Sequence, residues 1–244
     1  VTNYNYSWNN PNLDKTATAT LLSAGIYNVT VSDNNGCIGV TSATIKDPGA
    51  PVLTLTSSDA DRTICAGDNV TFTGGGATVY EFFINGKSVQ GPNGLNTYST
   101  TNLNDNDTIL LKGTTAGNCS GVPTSLIFKV NSLPTATISG TTGICKGQST
   151  KLTVNLTGKA TWSFFYTDGV TTFPKIMTNS STYPITVTPN ATTTYTITSV
   201  ISGSCTNTGI GSAIITVNPL PTVDAGKTQT ICNGSCVTLT AVGG

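Results

Sequence analysis

Histidine is absent from the 244 residues, and glutamate occurs once, at Glu81. Without imidazole the chain lacks the usual general base, the commonest zinc ligand and every Ser-His or Cys-His nucleophile pair. A glycosidase needs two positioned carboxyl groups, and no pair among the eleven acidic residues recurs in a cleft-like context. Charge is scarce as well: 9% of residues are charged, eleven basic and eleven acidic, for a net charge of zero. No basic stripe is present to neutralise phosphates, which argues against a nucleic-acid partner. No run approaches the roughly 18 apolar residues of a membrane span. Val1 to Trp8 has neither the basic start nor the apolar stretch of a signal peptide.

What the chain does contain is repetition. The phrase Ile-Cys-x-Gly occurs at Ile64–Gly67, Ile144–Gly147 and Ile231–Gly234, at spacings of 80 and 87 residues. Such spacing suits small sandwich modules in series better than one large core. After each phrase, positions five and seven beyond the cysteine carry Val70 and Phe72, Thr150 and Leu152, Val237 and Leu239, a shared strand. Aromatic strands follow: Tyr80, Phe82 and Ile84, then Trp162, Phe164 and Tyr166, with Tyr4, Tyr6 and Trp8 near the start. They end at the turn signals Asn85-Gly86, Asp168-Gly169 and Asn9-Asn10, residues that accept positive φ. Ten and eight residues before Cys37, Cys119 and Cys205 stand Tyr27 and Val29, Ile109 and Leu111, Tyr195 and Ile197. Apolar residues at every second position make each a strand with one face in a core and Thr, Asn and Ser turned to water.

The frame divides the chain at proline-rich joints. Residues 1–47 form the tail of a first module. Modules at 48–131 and 132–218 each close on an edge-like strand, Leu126–Val130 and Ala213–Val217, and residues 219–244 begin a fourth. Asn131-Ser132-Leu133-Pro134 and Asn218-Pro219-Leu220-Pro221 are near copies, and their prolines are expected to hold neighbouring modules in an extended arrangement. The chain is expected to start and stop inside modules, as part of a longer protein.

Tyr4–Trp8 followed by Leu22–Cys37 resembles the SprB-type repeat of giant surface adhesins from gliding bacteria. The later segments, with Ile-Cys-x-Gly, Val187–Ile197, a cysteine and Ile215–Pro219, are similar to the Ig-like and PKD-like repeats of the same proteins. The resemblance implies a SprB-type repeat over 1–47, tandem Ig-like antiparallel β-sandwich modules in an extended rod over the rest, type IX secretion and display on the cell surface.

Seven cysteines at recurring positions read as disulfides, hence an oxidising, extracellular compartment. Each full module carries its own pair, so Cys65 is expected to bond Cys119, and Cys145 to bond Cys205. If the intervening strands are simple reversals, however, each pair lies at opposite ends of its sandwich and bridges between neighbouring modules become possible, whereas a crossover restores the proximity within a module. Cys37, Cys232 and Cys236 are expected to have partners outside the sequence. Phe83 and Phe165 are out of core phase at matching positions and either pack under a neighbouring loop or module or form platforms for a sugar ring. Thr108, in Asp107-Thr108-Ile109, resembles sites where bacteria of this group attach O-linked glycans. Asp59, Asp61, Asp105 and Asp107 offer carboxylates two apart but no full calcium loop, so no cofactor is expected.

These readings describe a non-catalytic stalk or adhesive segment of a secreted surface protein, acting in surface adhesion or gliding motility. Its partners would be neighbouring repeats, surface polysaccharide or other surface proteins. Two alternatives remain: a carbohydrate-binding array on a secreted enzyme, marked by exposed Phe83 and Phe165, or a filament subunit, marked by unpaired strand edges.

Overall fold

The computed structural model describes residues 3–243, which are all-β. By contact they divide into two compact units, Val1–Thr56, Thr73–Tyr98 and Ile109–Leu126 in one and Ser57–Phe72, Ser99–Thr108 and Ile127–Gly244 in the other.

The first strands, β1 (Asn5–Trp8), β2 (Gly25–Ser32) and β3 (Ile38–Ile45), form one antiparallel sheet in that order. Alternation along β2 buries Tyr27 and Val29, and Trp8 stands opposite Val29. The Tyr27 hydroxyl donates to the Ser23 carbonyl at 2.9 Å, the corner that a tyrosine makes at the start of an immunoglobulin F strand.

Nine strands follow: β4 (Thr54–Ser57), β5 (Thr63–Cys65), β6 (Val70–Gly75), β7 (Val79–Ile84), β8 (Lys87–Asn93), β9 (Thr97–Thr100), β10 (Thr108–Thr114), β11 (Thr124–Ile127) and β12 (Lys129–Asn131). They form sheets β4-β6-β9 and β11-β10-β7-β8, with β5 and β12 paired in parallel. Asn85 and Gly86 both take positive φ, so the β7–β8 hairpin has the turn that its sequence signals. In one unit Phe82 of β7 stacks on Tyr98 of β9, centroids 6.0 Å apart; in the other Phe72 meets Phe128 edge-on at 5.3 Å.

The next nine strands are the best packed: β13 (Thr135–Ser139), β14 (Thr142–Cys145), β15 (Thr150–Thr157), β16 (Trp162–Thr167), β17 (Ile176–Thr178), β18 (Thr182–Val187), β19 (Thr193–Ser202), β20 (Cys205–Asn207) and β21 (Ser212–Asn218). One sheet runs β13-β15-β18, the other β14-β21-β19-β16-β17, with β20 on β19. Leu152, Val154 and Leu156 alternate along β15 and face Trp162, Phe164, Tyr195, Ile197 and Ile215 in one core. Trp162 donates its indole N–H to Thr157 O at 2.8 Å, which lets a polar nitrogen enter that core satisfied. With β13, β15 and β18 in one sheet, β16, β19 and β21 in the other and a tryptophan on β16, the repeat matches strands A, B and E against C, F and G of the immunoglobulin arrangement. The chain is thus a series of Ig-like β-sandwich repeats.

The edge expected at Ala213–Val217 is corrected. β21 lies between β19 on one side and β14, parallel to it, on the other. Gly140 makes this cover: between β13 and β14 it takes φ +119, where a Cβ would stand 3.0 Å from the Lys151 carbonyl oxygen, and the chain crosses from one sheet to the other. Leu126–Val130 does lie at edges, as expected: β11 is the end strand of its sheet, beside β10 alone, and Lys129–Asn131 pairs only with Thr63–Cys65 among the described residues.

Residues 219–243 are exposed throughout and pair only as β22 (Val223–Asp224) with β23 (Val242–Gly243). The strand expected at Val237 and Leu239 does not form: among the described residues no strand lies beside it to take its backbone hydrogen bonds.

Candidate functional site

The most constructed place on the molecule is the joint at Asn131–Pro134. Cys65 ends β5, where the parallel register sets it opposite Asn131, the last residue of β12. Ala66 donates its N–H to Asn131 O at 2.9 Å, and Gly67, at φ +90, turns the chain away. On the far side, β19 and β20 form a tight hairpin in which Ser202 pairs with Cys205. Ser202 donates its hydroxyl to Lys159 O, and Asn207 donates its side-chain amide to Pro134 O at 2.9 Å, fixing the hairpin to the joint. Cys65 and Cys205 are bonded, Cα atoms 5.6 Å apart across a sequence separation of 140. Both are buried, 8% and 1% exposed.

This corrects the pairing of Cys65 with Cys119 and of Cys145 with Cys205. Cys145 stands opposite Asn218 at the end of β21, whereas Cys205 lies in the hairpin that precedes Ser212 at its beginning. Seven residues of strand, about 20 Å at roughly 3.3 Å per residue, separate those two levels, and a disulfide spans at most about 7 Å between Cα atoms. The parallel strand carries the phrase cysteine to the end of its repeat, so its nearest loop cysteine belongs to the next one. Cys119 is half-buried in the β10–β11 hairpin; Cys37, Cys145, Cys232 and Cys236 are exposed; all five are free thiols.

No protein-family model matches the chain, and no curated protein sequence matches it. Among solved structures it is similar to an I-band fragment of titin, with TM-score 0.46, 13% identity, and coverage of 89% of this chain and 88% of that one. It is also similar to fibronectin(III)-like modules of Clostridium thermocellum CbhA, with TM-score 0.35, 13% identity, and coverage of 69% and 95%. A third is the three N-terminal domains of the bacteriophage RB49 outer capsid protein Hoc, with TM-score 0.35, 12% identity, and coverage of 89% of both chains.

The aromatic platforms are not brought together. Phe83 points out of the sandwich as its phase requires, yet it is only 9% exposed, with Lys112 Nζ 4.4 Å above the ring. Lys112 sits opposite Glu81 on the neighbouring strand, two residues from Phe83, so the lysine stem lies along the sheet and covers the ring. A sugar would have to displace it. Phe165 is half-buried at a bulge in the β16–β19 pairing. Thr108 opens β10, half-buried.

The paired aspartates are turn residues. Asp59 and Asp61 both accept the Thr63 N–H, at 3.1 and 2.8 Å; Asp105 accepts Val130 N–H at 2.9 Å and Asp107 accepts Asn104 N–H at 2.8 Å. Among the described residues no group of three His, Cys, Asp or Glu side chains is placed to hold a metal ion. Asp61 and Asp105 line a cavity of about 580 Å³ beside Arg62 and Lys129. Each carboxylate in it already caps backbone N–H groups. A cleft of about 360 Å³ contains one carboxylate, Asp168, against Tyr166 and Tyr195. The N–H groups of Thr171 and Val170 hold Asp168 below the ordinary carboxylate range. Burial pushes both tyrosines above the ordinary phenol, with the Asp168 charge adding to it.

Proposed function

We propose that the chain is a load-bearing, non-catalytic repeat segment of a large secreted cell-surface protein, a stalk for surface adhesion or gliding. The observation that carries the reading is the Cys65–Cys205 bond across the joint. A covalent tie between consecutive repeats, set beside a short proline joint, limits how far the chain lengthens under tension. It also needs an oxidising compartment, in keeping with extracellular display. The SprB-type likeness of residues 1–47 and export by a type IX system belong to the same proposal. Lys112 over Phe83 speaks against the sugar-binding array, and β14 beside β21 removes one of the two edges that an edge-paired filament would use, leaving β11 as the other.

Pulling single molecules by their ends tests it. The stretch from Cys65 to Cys205, a sequence separation of 140, stays out of the load path while the bond holds, so full unfolding should release about 480 Å less contour length than in reduced protein. Equal release in both states would remove the mechanical reading.

A further inference from the structure

The three Ile-Cys-x-Gly phrases share one turn, and the first two also share one strand pairing. Ile64-Cys65 lies parallel to Val130-Asn131 as Ile144-Cys145 lies parallel to Val217-Asn218. The next residue donates to the strand-ending asparagine carbonyl in both, Ala66 to Asn131 and Lys146 to Asn218, at 2.9 Å. In all three copies the residue three beyond the cysteine (Asp68, Gln148, Ser235) donates to the cysteine carbonyl at 3.0 Å, and the phrase glycine takes φ of +90, +88 or +88.

The loop cysteines Cys37 and Cys119 share a second geometry. Asp33 donates to Cys37 O at 3.1 Å and Thr115 to Cys119 O at 3.0 Å, each over a turn closed by a left-handed residue, Gly36 or Asn118. Cys205 occupies the corresponding hairpin after β19.

One phrase cysteine and one loop cysteine are bonded, and the bond steps forward by one repeat. Cys145 and Cys119 hold equivalent positions as free thiols, as do the phrase cysteine Cys232 and the loop cysteine Cys37. The joint after Cys145's repeat, Asn218-Pro219-Leu220-Pro221, copies the joint that seats Cys205 on Cys65.

We propose that Cys65–Cys205 is one rung of a forward disulfide ladder, in which each Ile-Cys-x-Gly cysteine takes the loop cysteine of the next repeat. Cys145 is the half that receives the loop cysteine of a repeat joined after Asn218. Cys119 is the half that receives the phrase cysteine of the repeat before its own. Each rung is a two-electron oxidation: both thiols lose their protons, one S–S bond forms, and the electrons reduce the disulfide of a protein or small-molecule oxidant to two thiols through a mixed disulfide. The proposal does not depend on the mechanical role.

The test extends the chain by one repeat, replacing residues 222–244 with a second copy of residues 135–218, a segment whose core lies wholly within itself. After thiol blocking, non-reducing peptide maps of the 244-residue chain should give Cys65–Cys205 linked and Cys119 and Cys145 blocked. In the extended chain Cys145 should be linked to the appended loop cysteine, with Cys65–Cys205 unchanged. Cys65→Ser should free Cys205 and leave the new rung intact. Cys145 still blocked in the extended chain, or moving onto Cys205 when Cys65 is removed, overturns the ladder. Independently, Cys119 and Cys145 should be found disulfide-linked in protein taken from its own cells; recovering them as free thiols there overturns it too.

Discussion

Cys205 is the most buried sulfur in the chain, and its bond closes a loop 140 residues in separation. On the chain-entropy model such a loop is worth on the order of 5 kcal/mol, because the crosslink restricts the unfolded ensemble. Cys65→Ser should therefore lower stability by several kcal/mol in denaturant melts of oxidised protein. Burial should also protect the bond from dithiothreitol until denaturant opens the joint, since exchange needs access to a sulfur. Titration has its own signature at this scale. Asp168's pKa is depressed in the folded state, so its contribution is present above the ordinary carboxylate pKa of 3.8 and is lost as pH falls through the lowered value. Tyr166 and Tyr195 are raised, so theirs is complete below pH 10.0 and declines as pH rises beyond it. Phenolate absorbance should show these two tyrosines ionising later than a free tyrosine; ionisation of both at 10.0 would contradict their burial.

At the scale of elements, alternation is legible wherever a strand has one wet face. The phases of Tyr27 and Val29, Ile109 and Leu111, and Tyr195 and Ile197 place β2, β10 and β19 correctly, and Asn85-Gly86 marks its hairpin. The parallel strands are not legible. Thr63–Cys65 and Thr142–Cys145 are three and four residues long, too short to carry a period, and they decide both the edge cover and the direction of the disulfide. Phase tells which way Phe83 points, but not that Lys112, one strand away, lies over it. Phe83→Ala should thus cost about 2 kcal/mol of stability, by lost burial and the cation–π contact, and leave polysaccharide binding where the parent has it. Gly140→Ala forces a side chain into positive φ against the Lys151 carbonyl, at about 1–3 kcal/mol. It should loosen β14, and with β21 uncovered the variant should self-associate in concentration-dependent light scattering. A variant as stable and monomeric as the parent would mean that β14 does not guard that edge.

For the molecule as a whole, burial is uneven in a way that the repeat pattern alone does not reveal. Residues 219–243 bury nothing, and the sheet of β1, β2 and β3 buries little beyond Tyr27, Val29 and Asn10. The strands between Leu53 and Ile215 hold nearly all the buried apolar side chains. Local opening follows such differences, since segments with little buried apolar surface open at little free-energy cost. A nonspecific protease should therefore remove residues 219–243 first and then cut before residue 50, leaving a resistant product of about 50–218. Slower nicks anywhere from 66 to 204 fall inside the loop closed by Cys65 and Cys205. Their two halves should migrate together on a non-reducing gel and separate when reductant is added. Halves that separate without reductant would mean that the bond across the joint is not formed in solution, and with it would go the covalent continuity on which a load-bearing role depends.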